Sequence, residues 1–224
     1  MQGNLQQNVE SAHLAALLCK TANQSGASLE HCFLTTSGAT ANENALKLAF
    51  QQHHPADRVL AFTDCFAGRT LATAAITDRA KYRDGLPQAL NVDYVPFLNH
   101  EDPEASTRHA VRERHIARYP GRHAVMCFEL IQGEGGYWPG TRDFFRALID
   151  ILRENDVAVW FDEVQTFGRT TQPFAFQHFG LDDSADIVTI GKIPQVCATL
   201  FRYDYTPRPG LVSQTFTGAT ASIF

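Results

Sequence analysis

Lysine is the scarcest charged residue in this chain. Its 224 residues contain four, Lys20, Lys47, Lys81 and Lys192. With a formal net charge of -5, the chain lacks the basic surface that nucleic acid or an anionic membrane attracts. No apolar run approaches the ~20 residues needed to span a bilayer. The start, Met1-Gln-Gly-Asn4, has no basic region followed by an apolar stretch, so no secretory signal is visible and a cytoplasmic setting is expected. The five cysteines, Cys19, Cys32, Cys65, Cys127 and Cys197, show no metal-ligand or redox spacing, which predicts reduced thiols and no metal site. Internal repeats, low-complexity tracts and obvious linkers are also missing. What remains is ordinary globular composition, 44% hydrophobic and 19% charged, and one domain is the simplest organisation.

Strand-like and helix-like segments alternate. Strands are expected over 31–35, 58–62, 92–95, 124–128, 157–161, 187–190 and 198–201. Helices are expected from near Val9 to Thr21, and over 39–53, 68–76, 103–119 and 142–155. In the second helix Ala41, Ala45, Leu48 and Ala49 share a face. This rhythm predicts an α/β fold of three layers, a mainly parallel sheet with helices on both faces.

Two strand ends stand out. The run Val157 to Phe161 stops at Asp162, and thirty residues later Ile187 to Ile190 runs into Gly191 and Lys192. Ligands bind at the carboxyl ends of strands in such sheets. An acid and an amine there can hold a cationic heterocycle and form a Schiff base with its aldehyde, the outline of a pyridoxal phosphate site. Asp162 and Val164 are expected on one face of their strand. Lys192, after an apolar strand, is expected to be partly desolvated and so more nucleophilic.

Other segments suit the same edge. Thr35-Thr-Ser37-Gly38-Ala39-Thr40 joins a strand to a helix, where hydroxyls and amides can converge on an anion, although a plain helix cap would read the same way. Phe66 follows another strand and can stack on a planar ligand or simply pack in the core. Glu129-Leu-Ile-Gln-Gly133-Glu134-Gly-Gly136 suits a loop that approaches a ligand closely, or a solvated turn.

In their order these motifs resemble the class III aminotransferases, the acetylornithine, ornithine and 4-aminobutyrate group of fold type I pyridoxal phosphate enzymes. The resemblance runs from about Ala12 to the end. Its carriers are Thr36 to Lys47, Phe66 to Thr70, Glu129 to Gly136, Asp162 to Arg169, Thr189 to Lys192 and Thr215 to Gly218. It implies that Lys192 forms the Schiff base and moves the proton, and that Asp162 pairs with the pyridinium nitrogen. Gln165 is implied at the phenolic oxygen, Phe66 and Val164 on the ring faces, and Ser37, Gly38 and Ala39 around the phosphate. Thr215 would reach the phosphate of a neighbouring subunit, implying a homodimer with shared sites. Glu134 matches a gate between α- and ω-amino substrates. The implied reaction moves an amino group from an amino acid to a 2-oxo acid by a ping-pong route.

The pattern also departs from the family. Ala67 replaces a histidine, Leu130 replaces a proline, a glycine is missing after Gln165-Thr166, and Ile193-Pro-Gln-Val-Cys-Ala198 replaces a glycine-rich loop. The family's N-terminal segment and small C-terminal domain, with its carboxylate-binding arginine, are not recognised, so residues 1–224 are expected to be the large cofactor domain. A remnant that binds cofactor or dimerises without turnover is the alternative. A nucleotide-binding α/β domain is a third reading, resting on the strand–loop–helix pattern alone.

Overall fold

The computed structural model describes residues 8–98, 101 and 110–215. Helix α1 (Val9–Ala22) leads into strand β1 (His31–Thr35), and α2 (Gly38–Gln52) into β2 (Arg58–Phe62). Short helices α3 (Leu71–Ile76) and α4 (Ala80–Arg83) precede β3 (Asn91–Val95). A π-helical stretch, Ala110–Ile116, leads to β4 (His123–Phe128) and a small ribbon of β5 (Ile131–Gln132) and β6 (Trp138–Pro139). Helix α5 (Arg142–Glu154), β7 (Ala158–Glu163), α6 (Ala175–His178), β8 (Ile187–Ile190) and β9 (Cys197–Phe201) follow.

Seven strands form one sheet in the order β1-β9-β8-β7-β4-β2-β3. Strand β9 runs antiparallel to both its neighbours, and the remaining pairings are parallel. Strands β4, β7, β8 and β9 are buried along their whole length, as expected of a sheet covered on both faces. Alternation along β7 shows the two layers. Asp162 meets Asn42 of α2, whereas the next residue, Glu163, accepts from the amides of Ala175 and Phe176 in α6. On that second face Phe161 packs edge-on to Phe128, and Phe128 to Phe145 of α5.

Helix α5 shows why these residues choose this structure. Thr141 caps it by accepting from the Phe144 amide at 3.3 Å. Phe144, Phe145, Leu148, Ile149, Ile151 and Leu152 form its buried stripe, and apart from Ala147 its other residues are charged. In α2 the predicted face is buried, since Ala41, Ala45, Leu48 and Ala49 are inaccessible to solvent.

Three boundaries differ from expectation. The helix anticipated from Gly68 starts at Leu71, because Thr70 caps it and accepts from the Thr73 amide at 3.2 Å. Strand β7 continues through Asp162 and Glu163, since these pair with Thr189 and Ile190 of β8. The helix anticipated over 103–119 is π-helical over Ala110–Ile116, ending before Tyr119, and its earlier part lies outside the described residues.

Candidate active site

Strands β1, β2, β4, β7 and β8 point the same way, so their carboxyl ends share one edge. Each delivers one segment to it. Strand β1 leads to Ser37–Ala39, β2 to Phe66, β4 to Glu129, β7 to Asp162 and Gln165, and β8 to Lys192. These segments line one hollow of about 680 Å³, a size that suits a small-molecule ligand.

One end of the hollow is the N-terminus of α2. Ser37 Oγ accepts from the Thr40 amide, and Thr40 Oγ1 accepts from the Ser37 amide, both at 3.1 Å. This capping box leaves the first-turn amides of Gly38 and Ala39 without intrahelical partners, at the positive end of the helix dipole. Close packing explains the glycine. A Cβ on Gly38 would lie 2.6 Å from Cγ1 of Val164, so only a bare backbone fits there.

Asp162 is buried in the wall. Its Oδ2 accepts from Asn42 Nδ2 at 2.8 Å and its Oδ1 from the Val164 amide at 3.0 Å. Val164 lies in the turn after β7, not on the strand with Asp162 as the alternation argument required, yet both line the hollow. Burial raises the Asp162 carboxyl to about 6, while the two hydrogen bonds and the nearby Lys192 amine pull it down. Glu129, opposite, accepts from the amides of Phe66 at 2.9 Å and Gly133 at 3.2 Å. Burial and the Asp162 charge push it to about 8. Behind the wall, Glu163 is raised by burial to about 7.

These three carboxyls set a pH dependence. Each folded value lies above that of the unfolded chain, so the native state holds protons that the unfolded chain has released. Their contribution is complete below about pH 4 and is lost as pH rises through the three folded values. His123, lowered by burial, opposes this, but it is one group against three. The thermal midpoint is therefore expected to be at least ~4 °C lower at about pH 8.5 than at about pH 5.5. A midpoint that rises over this interval in calorimetry would remove the argument.

Lys192 follows β8 and Gly191. A Cβ at Gly191 would meet Cys197 Sγ at 2.9 Å and Val164 Cγ1 at 3.2 Å, which keeps this turn tight against the wall. Lys192 and Gln195 both adopt left-handed backbone, with φ of 60° and 58°. Non-glycine residues hold that conformation at a cost of about 1–2 kcal/mol each, and such strain concentrates at functional sites. Gln195 fixes the turn through its amide and Nε2, which donate to the Lys192 carbonyl at 3.2 and 3.0 Å. The Lys192 side chain is exposed. It is more exposed than the partial desolvation expected of it, because the turn lifts it off the apolar strand.

The other predicted residues divide. Phe66, half-buried, and Gln165 line the hollow, as does Glu134, an exposed residue whose carbonyl accepts from Arg79 at 2.6 Å. Thr215 is exposed and is not among the lining residues. Arg69 also lines the hollow, with its guanidinium 5.9 Å from the Phe66 ring centre and 5.7 Å from that of Tyr82.

Comparison with known proteins decides the family. The model of the family described as Aminotransferase class-III matches residues 2–195. The chain belongs to the class-III aminotransferases. It is 34% identical over 171 residues to an acetylornithine aminotransferase of Methanocaldococcus jannaschii, covering 73% of this chain and 39% of that protein. A Bacillus subtilis acetylornithine aminotransferase is 36% identical over 162 residues, covering 71% and 38%. The chain thus spans about two fifths of the length of these relatives. Among solved structures, a lysine aminotransferase from M. tuberculosis in the internal aldimine form superimposes with a TM-score of 0.82 at 26% identity, covering 97% of this chain and 56% of that one. An S-selective transaminase from Arthrobacter sp. gives 0.86 at 21% identity, covering 99% and 53%, a likeness of fold alone.

In this class-III aminotransferase chain, Asn42, Arg69 and Glu129 line the hollow, although the motifs that contain them assign them no individual role. Asn42 carried a signal. It falls on the apolar face of α2, three residues before Ala45 and seven before Ala49, where a polar side chain calls for a partner.

Proposed function

We propose that residues 1–224 form the cofactor-binding domain of a pyridoxal phosphate-dependent aminotransferase that passes an amino group from an amino acid to a 2-oxo acid by a ping-pong route. The arrangement of Asp162 and Lys192 at the ends of adjacent parallel strands, around one hollow with the α2 N-terminus, carries this reading. The residues fit the cofactor. The first-turn amides of Gly38 and Ala39, with Ser37, suit a phosphate. Asp162 suits a protonated ring nitrogen, Gln165 the phenolic oxygen, and Phe66 and Val164 the ring faces. Bound there, pyridoxal phosphate supplies an electron sink for the carbanion formed at the substrate's α- or ω-carbon. Lys192 presents its amine to the carbonyl carbon and afterwards carries the proton to and from the substrate carbon.

Arg69 and Lys192 are the cations among the residues lining the hollow. With Lys192 engaged at the reacting carbon, Arg69 is left to receive a substrate carboxylate. Arg69→Gln is expected to raise KM for the amino donor about tenfold or more, with kcat changed less. An unchanged KM in steady-state assays would remove that role. The names of the ornithine- and lysine-type relatives support a donor with its amine at the far end of the carbon chain, with Glu134 at the substrate end. Exposed Thr215 is consistent with service to a neighbouring subunit's phosphate in a homodimer. Five free thiols support a reducing, cytoplasmic setting, and no helix among the described residues is long and apolar enough to cross a membrane.

The test is borohydride reduction of protein incubated with pyridoxal phosphate, followed by peptide mapping. A cofactor-derived mass on the peptide containing Lys192 is expected, and a blank peptide overturns the assignment. Release of pyridoxamine phosphate after addition of an amino donor separates a working enzyme from the remnant without turnover.

A further inference from the structure

We infer that Asn42 is a positioning residue that keeps Asp162 ionised and turned toward the cofactor ring, an inference that rests on the function proposed above. Asn42 is 1% exposed on α2. Its Nδ2 donates to Asp162 Oδ2 at 2.8 Å and to the Ala67 carbonyl at 2.7 Å. Both partners are acceptors once Asp162 is ionised, so the amide cannot turn over without facing its own oxygen toward them. Its Oδ1 is left buried with no hydrogen-bond partner. A buried acceptor without a partner weakens a fold. Its presence here marks the two bonds on the other side as kept for their effect.

That effect falls on Asp162. Among the described residues Asn42 is the one side chain that donates to this carboxyl, beside the Val164 amide. The other titratable groups facing it are mixed. Lys192 favours the charged form. Glu129, Glu163 and the thiols of Cys65 and Cys127, once ionised, are destabilised by the Asp162 charge and in turn disfavour it. Burial disfavours it too. Removing the Asn42 donor therefore tips Asp162 toward its neutral form within the neutral pH range. A neutral carboxyl cannot hold a protonated ring nitrogen. The bond to Ala67 also joins Asp162 to the loop that carries Phe66, so one amide couples the polar and stacking walls of the hollow.

Nuclear magnetic resonance on wild-type protein labelled in asparagine and aspartate tests this without a substitution. The Asn42 side-chain amide signals are expected to move with pH at the midpoint of the Asp162 carboxyl, and signals that stay flat through that titration overturn the inference. Asn42→Leu keeps the volume and removes both donors, while Asn42→Asp keeps the shape and reverses the polarity. Both are expected to strengthen proton binding at Asp162 about tenfold. In Asn42→Leu the dissociation constant for pyridoxal phosphate is expected to rise about threefold near pH 6.5 and to stay close to wild type near pH 8.5, where Asp162 is ionised in both proteins. A purely structural Asn42 predicts lower thermal stability with an unchanged Asp162 midpoint and no pH split, which also overturns the inference. Wild-type protein that fails to bind pyridoxal phosphate removes the proposed function instead, and leaves the titration result standing.

Discussion

On the proposed function, Lys192→Ala is expected to abolish covalent capture of pyridoxal phosphate and to lower amino transfer about 10⁴-fold or more, the range lost when a nucleophile and its proton-transfer role go together. No other amine can substitute. Lys20, Lys47 and Lys81 are exposed on α1, α2 and α4, and none lines the hollow. Borohydride trapping followed by peptide mapping reads the first effect, and single-turnover formation of pyridoxamine phosphate reads the second. Because Lys192 is exposed and its left-handed backbone is strained, the alanine variant loses no core packing and unfolds close to the wild-type temperature. Activity within tenfold of wild type would sink the assignment of Lys192.

Asp162→Asn has the second-largest expected effect, a fall of about 10²–10³-fold in kcat, the usual consequence of losing a preorganised charge in a buried site. The amide keeps the carboxyl's shape and its acceptor for the Val164 amide, but it carries no charge for a ring nitrogen. The variant is also expected to lose the component of the stability–pH curve centred near 6 that burial of this carboxyl creates. A kcat within threefold of wild type, in protein shown to bind cofactor, would contradict the role. Together the two variants separate the halves of the site. Lys192→Ala loses the covalent bond and keeps the charge, and Asp162→Asn does the reverse.

Much of this was legible in the chain because it depends on local pattern. The apolar run that becomes β7 can be read from composition, and so can the alanine face of α2, since burial on a sheet or a helix face imposes a period. The capped start of α2 was legible because Ser37 and Thr40 interact over three residues. Boundaries set by long-range pairing were not. Strand β7 extends through Asp162 and Glu163 only because β8 lies beside it. Gly68 to Thr70 stays out of α3 because the capping geometry and the Gly68 backbone, with φ of 133°, exclude it. The strand before Lys192 implies partial desolvation, whereas a turn of four residues decides its exposure.

The sequence by itself determined the set of chemical groups: one carboxylate and one amine at strand ends, a hydroxyl-rich helix start, and an aromatic after a strand. It did so because residue type and strand-end position are local properties. Tertiary structure alone decided that these groups meet. Parallel pairing of β7 with β8, and of β4 with both β2 and β7, brings strand ends far apart in sequence to one edge. Tertiary structure also decided the state of the groups. Asp162 is held between the Val164 amide and Asn42, 120 residues away in the chain, and its ionisation depends on burial that no neighbouring residue in the sequence announces.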